Sequence, residues 1–169
     1  MSHCKLYIVV YPAAPGRRSH WALFATYDPS APLHSAAGTL LQVEGNPGAG
    51  FYHDILRGYR LADEPRSHTE YALAEFDSAH LAVPSTAAPA SAAADAADPA
   101  DALERIAFGI APPERSLRSA GEWTAKPRKI VVEDCQTWVG RYMRALVEKG
   151  VVPQEGLDKL QVIPQTRAL

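Results

Sequence analysis

Short β-branched and aromatic runs dominate the first half of the chain, and helical spacing of apolar residues takes over in the second. Residues 5–11 (Lys-Leu-Tyr-Ile-Val-Val-Tyr), closed by Pro12, read as a strand buried on both faces. Residues 20–27 (His-Trp-Ala-Leu-Phe-Ala-Thr-Tyr) read as a second strand. Its period-2 alternation puts His20, Ala22 and Phe24 on one face and Trp21, Leu23 and Tyr27 on the other. Residues 38–44 form a third strand, which runs into Gly45-Asn46-Pro47-Gly48-Ala49-Gly50, a loop where several residues tolerate positive φ. Residues 69–76 form a fourth. Residues 51–59 are ambiguous: Phe51, Ile55 and Tyr59 fit a helix face, while Gly58 argues against one.

Residues 82–97 are alanine-rich and hold almost no large apolar side chain, so burial cannot offset their ordering entropy. They read as a flexible insertion within one domain spanning 1–169. Asp98-Pro99 then looks like an N-cap and first helical residue, with Leu103, Ile106 and Phe108 on a short helix. Trp123 is a candidate anchor in an irregular stretch leading to a strand at 130–132. Behind it Cys135, Trp138, Val139, Tyr142, Leu146 and Val147 recur at helical spacing, with Asp134 as N-cap and Gly150 as terminator. Residues 154–160 fit a last short helix, and a tail starts at Pro164. The predicted class is α+β, an antiparallel sheet packed against a helix that carries a cysteine at its N-terminus.

Composition narrows the classes. At 169 residues and 47% hydrophobic content the chain can build one real core. A formal net charge of -2 with scattered basic residues lacks the footprint of a nucleic-acid binder. Arg17-Arg18, beside His20, suit an anionic group or are simply solvated. Cys4 and Cys135 are far apart with no paired spacing, which fits a reducing compartment rather than a disulfide framework. The apolar run of residues 6–11 is too short for a membrane span or signal segment. The expectation is a soluble, cytoplasmic protein without a cofactor.

Cys135 is the first candidate for chemistry. In the first turn of a helix it meets unpaired N–H groups and the positive end of the dipole, which lower a thiol's pKa from about 8.5. Glu133 and Asp134 oppose a further anion there. The residues alone leave two readings open: a reactive thiolate, or a small hydrophobe packed under the helix start. A nucleophilic thiol needs a base and a group that orients the base. Of six histidines, His3, His34, His53, His68 and His80 fall in the tail or in and near loops, and His20 opens an otherwise apolar strand.

His20-Trp21-Ala22-Leu23-Phe24, with Asp134-Cys135-Gln136-Thr137-Trp138-Val139 much later, resembles the circularly permuted papain-like superfamily. This group includes lecithin retinol acyltransferase-like enzymes and PPPDE-type desumoylating isopeptidases, and is distantly related to bacterial cell-wall peptidases. The acyltransferase branch has a strand beginning His-Trp-Ala and its nucleophile in an Asn-Cys-Glu-His-Phe-Val string opening a helix. The two motifs cover about ten residues. The chain also looks like uncharacterised fungal proteins that pair a His-Trp/Tyr-Ala-Leu strand with a Cys-Gln/Arg-Thr-Trp helix. The resemblance implies a permuted papain-like fold with Cys135 as nucleophile and His20 as general base. The family's third polar residue, a histidine on the next strand, falls here on Gln42, whose carbonyl oxygen can orient an imidazole but brings no charge. Asp134 replaces the family's asparagine.

Two functions follow. One is a thiol hydrolase or acyltransferase acting on an amide, isopeptide, ester or thioester of a small-molecule, lipid or protein substrate. The other is an inactive papain-like fold that binds or scaffolds. A metal held by Cys135 and His20 falls short of the usual three or four ligands.

Overall fold

The computed structural model describes residues 2–84, 98–116 and 131–166. Five strands form one antiparallel sheet: β1 (His3–Tyr11), β2 (His20–Thr26), β3 (Ala37–Asn46), β4 (Gly50–Arg60) and β5 (Thr69–Asp77), in the order β4-β3-β2-β1-β5. Among the described residues three α-helices follow, α1 (Ala102–Phe108), α2 (Cys135–Glu148) and α3 (Gln154–Gln161). The α+β class stands.

Alternation along the central strands divides the apolar residues between two faces. Leu6, Ile8, Val10, Trp21, Leu23, Leu41, Val43, Ile55 and Leu73 bury the helix side against Trp138, Val139, Tyr142, Met143 and Leu146 of α2. The outer face carries a smaller cluster of Val9, Tyr11, Ala22, Phe24, Leu40 and Leu61. Strands β1 and β2 are therefore buried from both sides, as their continuous apolar runs require. The α2 helix is fixed to α1 and to the segment just after it by two side-chain donors. Tyr142 Oη donates to the Leu103 carbonyl at 2.8 Å and the Trp138 indole to the Ile110 carbonyl at 3.0 Å.

Three expectations change. Residues 51–59 are not helical: they lie in β4, which pairs with β3 along its length, with Leu41 opposite Ile55 and Gln42 opposite Asp54. The four-residue recurrence of apolar groups imitated a helix face because this outer strand buries only Ile55 fully. The first helix is capped by Asp101, whose side chain accepts from Glu104 N at 2.9 Å, and not by Asp98. Asp98 lies just before it, where its carbonyl accepts from Arg57. Val131 and Val132 are 68% and 45% exposed and belong to no strand, because no sheet edge reaches them. Residues 85–97, Trp123 and Ile130 lie outside the described residues.

Gly38 sits where β3 shifts register against β4 and crosses closest to β2. A Cβ there would lie 2.2 Å from the Ala25 carbonyl oxygen and 2.7 Å from the Phe24 ring. Gly38→Ala should therefore force main chain apart in the middle of the sheet and lower stability by about 1–3 kcal/mol, measured as a shifted urea midpoint. An unchanged midpoint would mean that β2 and β3 are not held this closely.

Candidate functional site

The site forms where the sheet opens. β1 stays paired with β2 as far as Tyr11–His20, but β3 pairs with β2 only from Leu23–Leu41 onward. Main chain before Leu23 thus loses its partner on the β3 flank, and its donors and acceptors must be satisfied by other groups. The start of α2 supplies several of them.

Asp134 caps α2 in a reciprocal capping box: its carboxylate accepts from Gln136 N and Thr137 N, while Thr137 Oγ1 accepts from Asp134 N. This places Cys135 at the helix tip. Its Sγ donates to the Ser19 carbonyl at 4.0 Å, and Gln136 Nε2 donates to the same oxygen at 2.8 Å. Arg18 grips Asp134 through Nε and Nη2, so the Asp134 charge is already countered. Arg18 thus pairs with a carboxylate of the chain itself, which neither reading of the arginine pair anticipated.

The thiol is 7% exposed. Burial pushes its pKa up, the N–H of Trp21 favours the anion, and the Asp134 charge disfavours it again; the balance is about 11. The helix-terminus argument for a lowered value fails here for two reasons. The sulfur is packed away from water and the Asp134 charge lies beside it, and together these outweigh the Trp21 and Gln136 N–H groups and the Arg18 charge.

His20 approaches the same opening from the outer face, where its ring lies 5.4 Å from that of its cross-strand partner Tyr11. Tyr11 is itself held by Glu64, which accepts from the hydroxyls of Tyr11 and Tyr59, and by Arg66 stacked 4.1 Å over its ring. His20 Nε2 spans the gap to Gln42 Oε1 on β3 at 2.9 Å, and Gln42 Nε2 donates to Asp54 Oδ2 at 2.7 Å. An ionised carboxylate only accepts, so Asp54 must face the amide NH₂, which turns Oε1 toward His20. His20 Nε2 must then carry the proton in the neutral ring, leaving Nδ1 with the lone pair. Glu44 Oε1 lies 3.6 Å from Nε2 and supplies the negative charge that glutamine lacks.

The structure thus joins His20 to Gln42 directly. It brings Cys135 against the main chain on both sides of His20, through the Ser19 carbonyl and the Trp21 N–H. Among the described residues no hydrogen bond links the thiol to the imidazole. Asp54 was missed because its segment resembled a helix, and Gln136 because its role depends on main chain more than a hundred residues away. In the sequence, Gln42 opposite an acid was the signal available, had β4 been recognised as a strand. No three His, Cys, Asp or Glu side chains among the described residues converge as a metal set, and no described helix is long and apolar enough to cross a membrane.

Fold and site define an α+β protein in which a thiol at a helix start and an amide-held imidazole approach one break in an antiparallel sheet. The chain belongs to a family of unknown function, DUF6540, whose model matches residues 6–153 and so includes Cys135, His20 and Gln42. No curated protein and no solved structure matches it.

The raised thiol pKa has a pH signature. An ordinary value of 9.0 for the unfolded chain against about 11 folded means that folding disfavours the thiolate. That contribution is fully present below about pH 9 and is lost as pH climbs through about 11. Wild type should lose stability over this window relative to Cys135→Ala, with the difference read from Tm against pH. Parallel curves would show that the folded chain does not hold the thiol neutral.

Proposed function

We propose that this chain is a thiol-dependent acyl hydrolase or acyltransferase on a permuted papain-like arrangement, with Cys135 as nucleophile, His20 as base and Gln42 as the group orienting it. The observation that carries this reading is the Asp54–Gln42–His20 chain. It fixes one tautomer and leaves Nδ1 basic on the residue whose main-chain neighbours already touch the sulfur. A histidine kept only for packing does not require a buried amide locked by a carboxylate.

Because the resting thiol is neutral, the chemistry differs from a preformed ion pair. Attack requires Sγ–H to leave the Ser19 carbonyl and reach Nδ1. As sulfur attacks the acyl carbon, Nδ1 takes the thiol proton, and the imidazolium is met by Gln42 Oε1 and the nearby Glu44 carboxylate. The tetrahedral oxyanion lies near the α2 tip, where the Asp134 side chain leaves the Cys135 main-chain N–H unused; one such donor is worth about 3–4 kcal/mol in acyl transfer. The imidazolium returns its proton to the leaving group, giving a thioester that water or a second nucleophile opens.

A second reading, an inactive binding module, is favoured by the same burial that raises the thiol pKa. Exposure to 4-nitrophenyl acetate, with intact-mass and peptide mapping, separates the two. The enzyme reading expects an acetyl adduct on Cys135 that turns over, about 10²–10⁴-fold slower formation in His20→Ala, and a smaller loss in Gln42→Leu. Acetylation of Cys135 no faster than Cys4, and indifferent to His20, would leave the binding module.

A further inference from the structure

The tail beyond α3 occupies the flank that β3 vacates. Ile163 is buried in the core, and the exposed residues Pro164, Gln165 and Thr166 then run back along the start of β2. Thr166 forms an antiparallel bridge with Arg18, and Ser19 N donates to the Gln165 carbonyl at 2.9 Å. Gln136 Nε2 donates to that same carbonyl at 2.7 Å, and Arg18 Nη1 to Gln165 Oε1 at 3.2 Å. Two donors thus converge on one main-chain oxygen, next to a guanidinium that reads the side chain. Gln136 and Cys135 share the Ser19 carbonyl, so this arrangement directly abuts the thiol.

We propose that the open flank of β2 at Arg18–Ser19, with Gln136, is a subsite for an extended polypeptide, filled here by the chain's own Gln165–Thr166. The contacts recognise main chain, as strand addition to a sheet edge does, and the residue facing Arg18 carries an acceptor side chain. Gln136 Oε1 favours an amide over an ester. Its Nε2 is fixed on two carbonyl oxygens, which leaves a buried acceptor without a partner among the described residues. Gln165–Thr166 does not pair with it; a substrate N–H that reaches Oε1 would, and an ester oxygen cannot. A peptide substrate displaces the tail and lies beside Cys135, so the substrate class of the proposed enzyme is a polypeptide. That last step rests on the acyl-transfer reading; peptide binding does not.

The test uses the full chain. Pro164→Gly with Gln165→Ala removes the preset φ and the Arg18 contact while keeping every core residue. Site-resolved carbamidomethylation with iodoacetamide at pH 8 should then rise at least tenfold at Cys135 and stay unchanged at Cys4, which is buried elsewhere in the sheet and reports global loosening. The free peptide Val-Ile-Pro-Gln-Thr-Arg-Ala-Leu, corresponding to residues 162–169, should restore protection, and a scrambled peptide should not. No change at Cys135, or no protection by the peptide, overturns the proposal. If both cysteines label faster, titration of the wild-type chain decides: saturable shifts of the Ser19 and Gln136 amide resonances support the subsite, and their absence overturns it. None of these readouts needs turnover, so an inactive thiol leaves the subsite standing.

Discussion

The early end of β2–β3 pairing, at Leu23 opposite Leu41, is the constraint from which the rest follows. A buried main-chain donor or acceptor without a partner costs about 1–3 kcal/mol, so a sheet that opens must find replacements. Here they come from two separate parts of the chain, the sulfur and Gln136 at the tip of α2 and the carbonyl of Gln165 in the tail, while across the gap on the outer face His20 and Gln42 join side chain to side chain. Had β3 continued alongside β2, the flank facing Cys135 would be an ordinary ladder with no room for a thiol.

Charge around the opening is arranged in pairs. Asp134 has Arg18, and Glu64 has Arg66, whose guanidinium also lies 3.6 Å from Glu44. The Glu64 carboxyl is pushed up by burial, but the Arg66 guanidinium and the Tyr59 hydroxyl outweigh that and hold it at about 2. The anchored acid keeps Tyr11 in place beside the imidazole. Farther away, Arg57 reaches Glu104 from β4 and ties α1 to the sheet edge, where the acid is fully buried. Such pairs contribute little net stability compared with apolar packing, but removing one partner is costly, which makes them positioning devices.

In the proposed acyl transfer, a resting thiol that is neutral makes proton transfer to His20 part of the step. It also protects the sulfur, since a thiol held near pKa 11 reacts slowly with oxidants and stray electrophiles. A tail lying across the open flank adds to that protection, and its exposed residues are held by few contacts that a competing strand can replace.

Much of the fold was legible in the sequence. The β-branched runs of β1, β2, β3 and β5 carry their own period, and Asp134 and Gly150 bracket α2 with cap chemistry that acts within a few residues. Cys135, His20 and Gln42 could be singled out by residue type and by a resemblance confined to two short motifs. The remainder depended on distance in the chain. Whether β4 was strand or helix was decided by pairing with β3, which a half-buried outer strand does not announce. The tautomer of His20 was decided by Asp54 through Gln42, a relay that exists only once those strands align. The thiol pKa was decided by burial in the core, which outweighs both the Trp21 main-chain N–H from β2 and the local pull of its own helix. Local pattern determines which elements form, because propensity and capping act over one or two turns. Electrostatics and hydrogen bonding between elements belong to the tertiary structure, because their partners lie far apart in the chain and meet only when the sheet closes on α2.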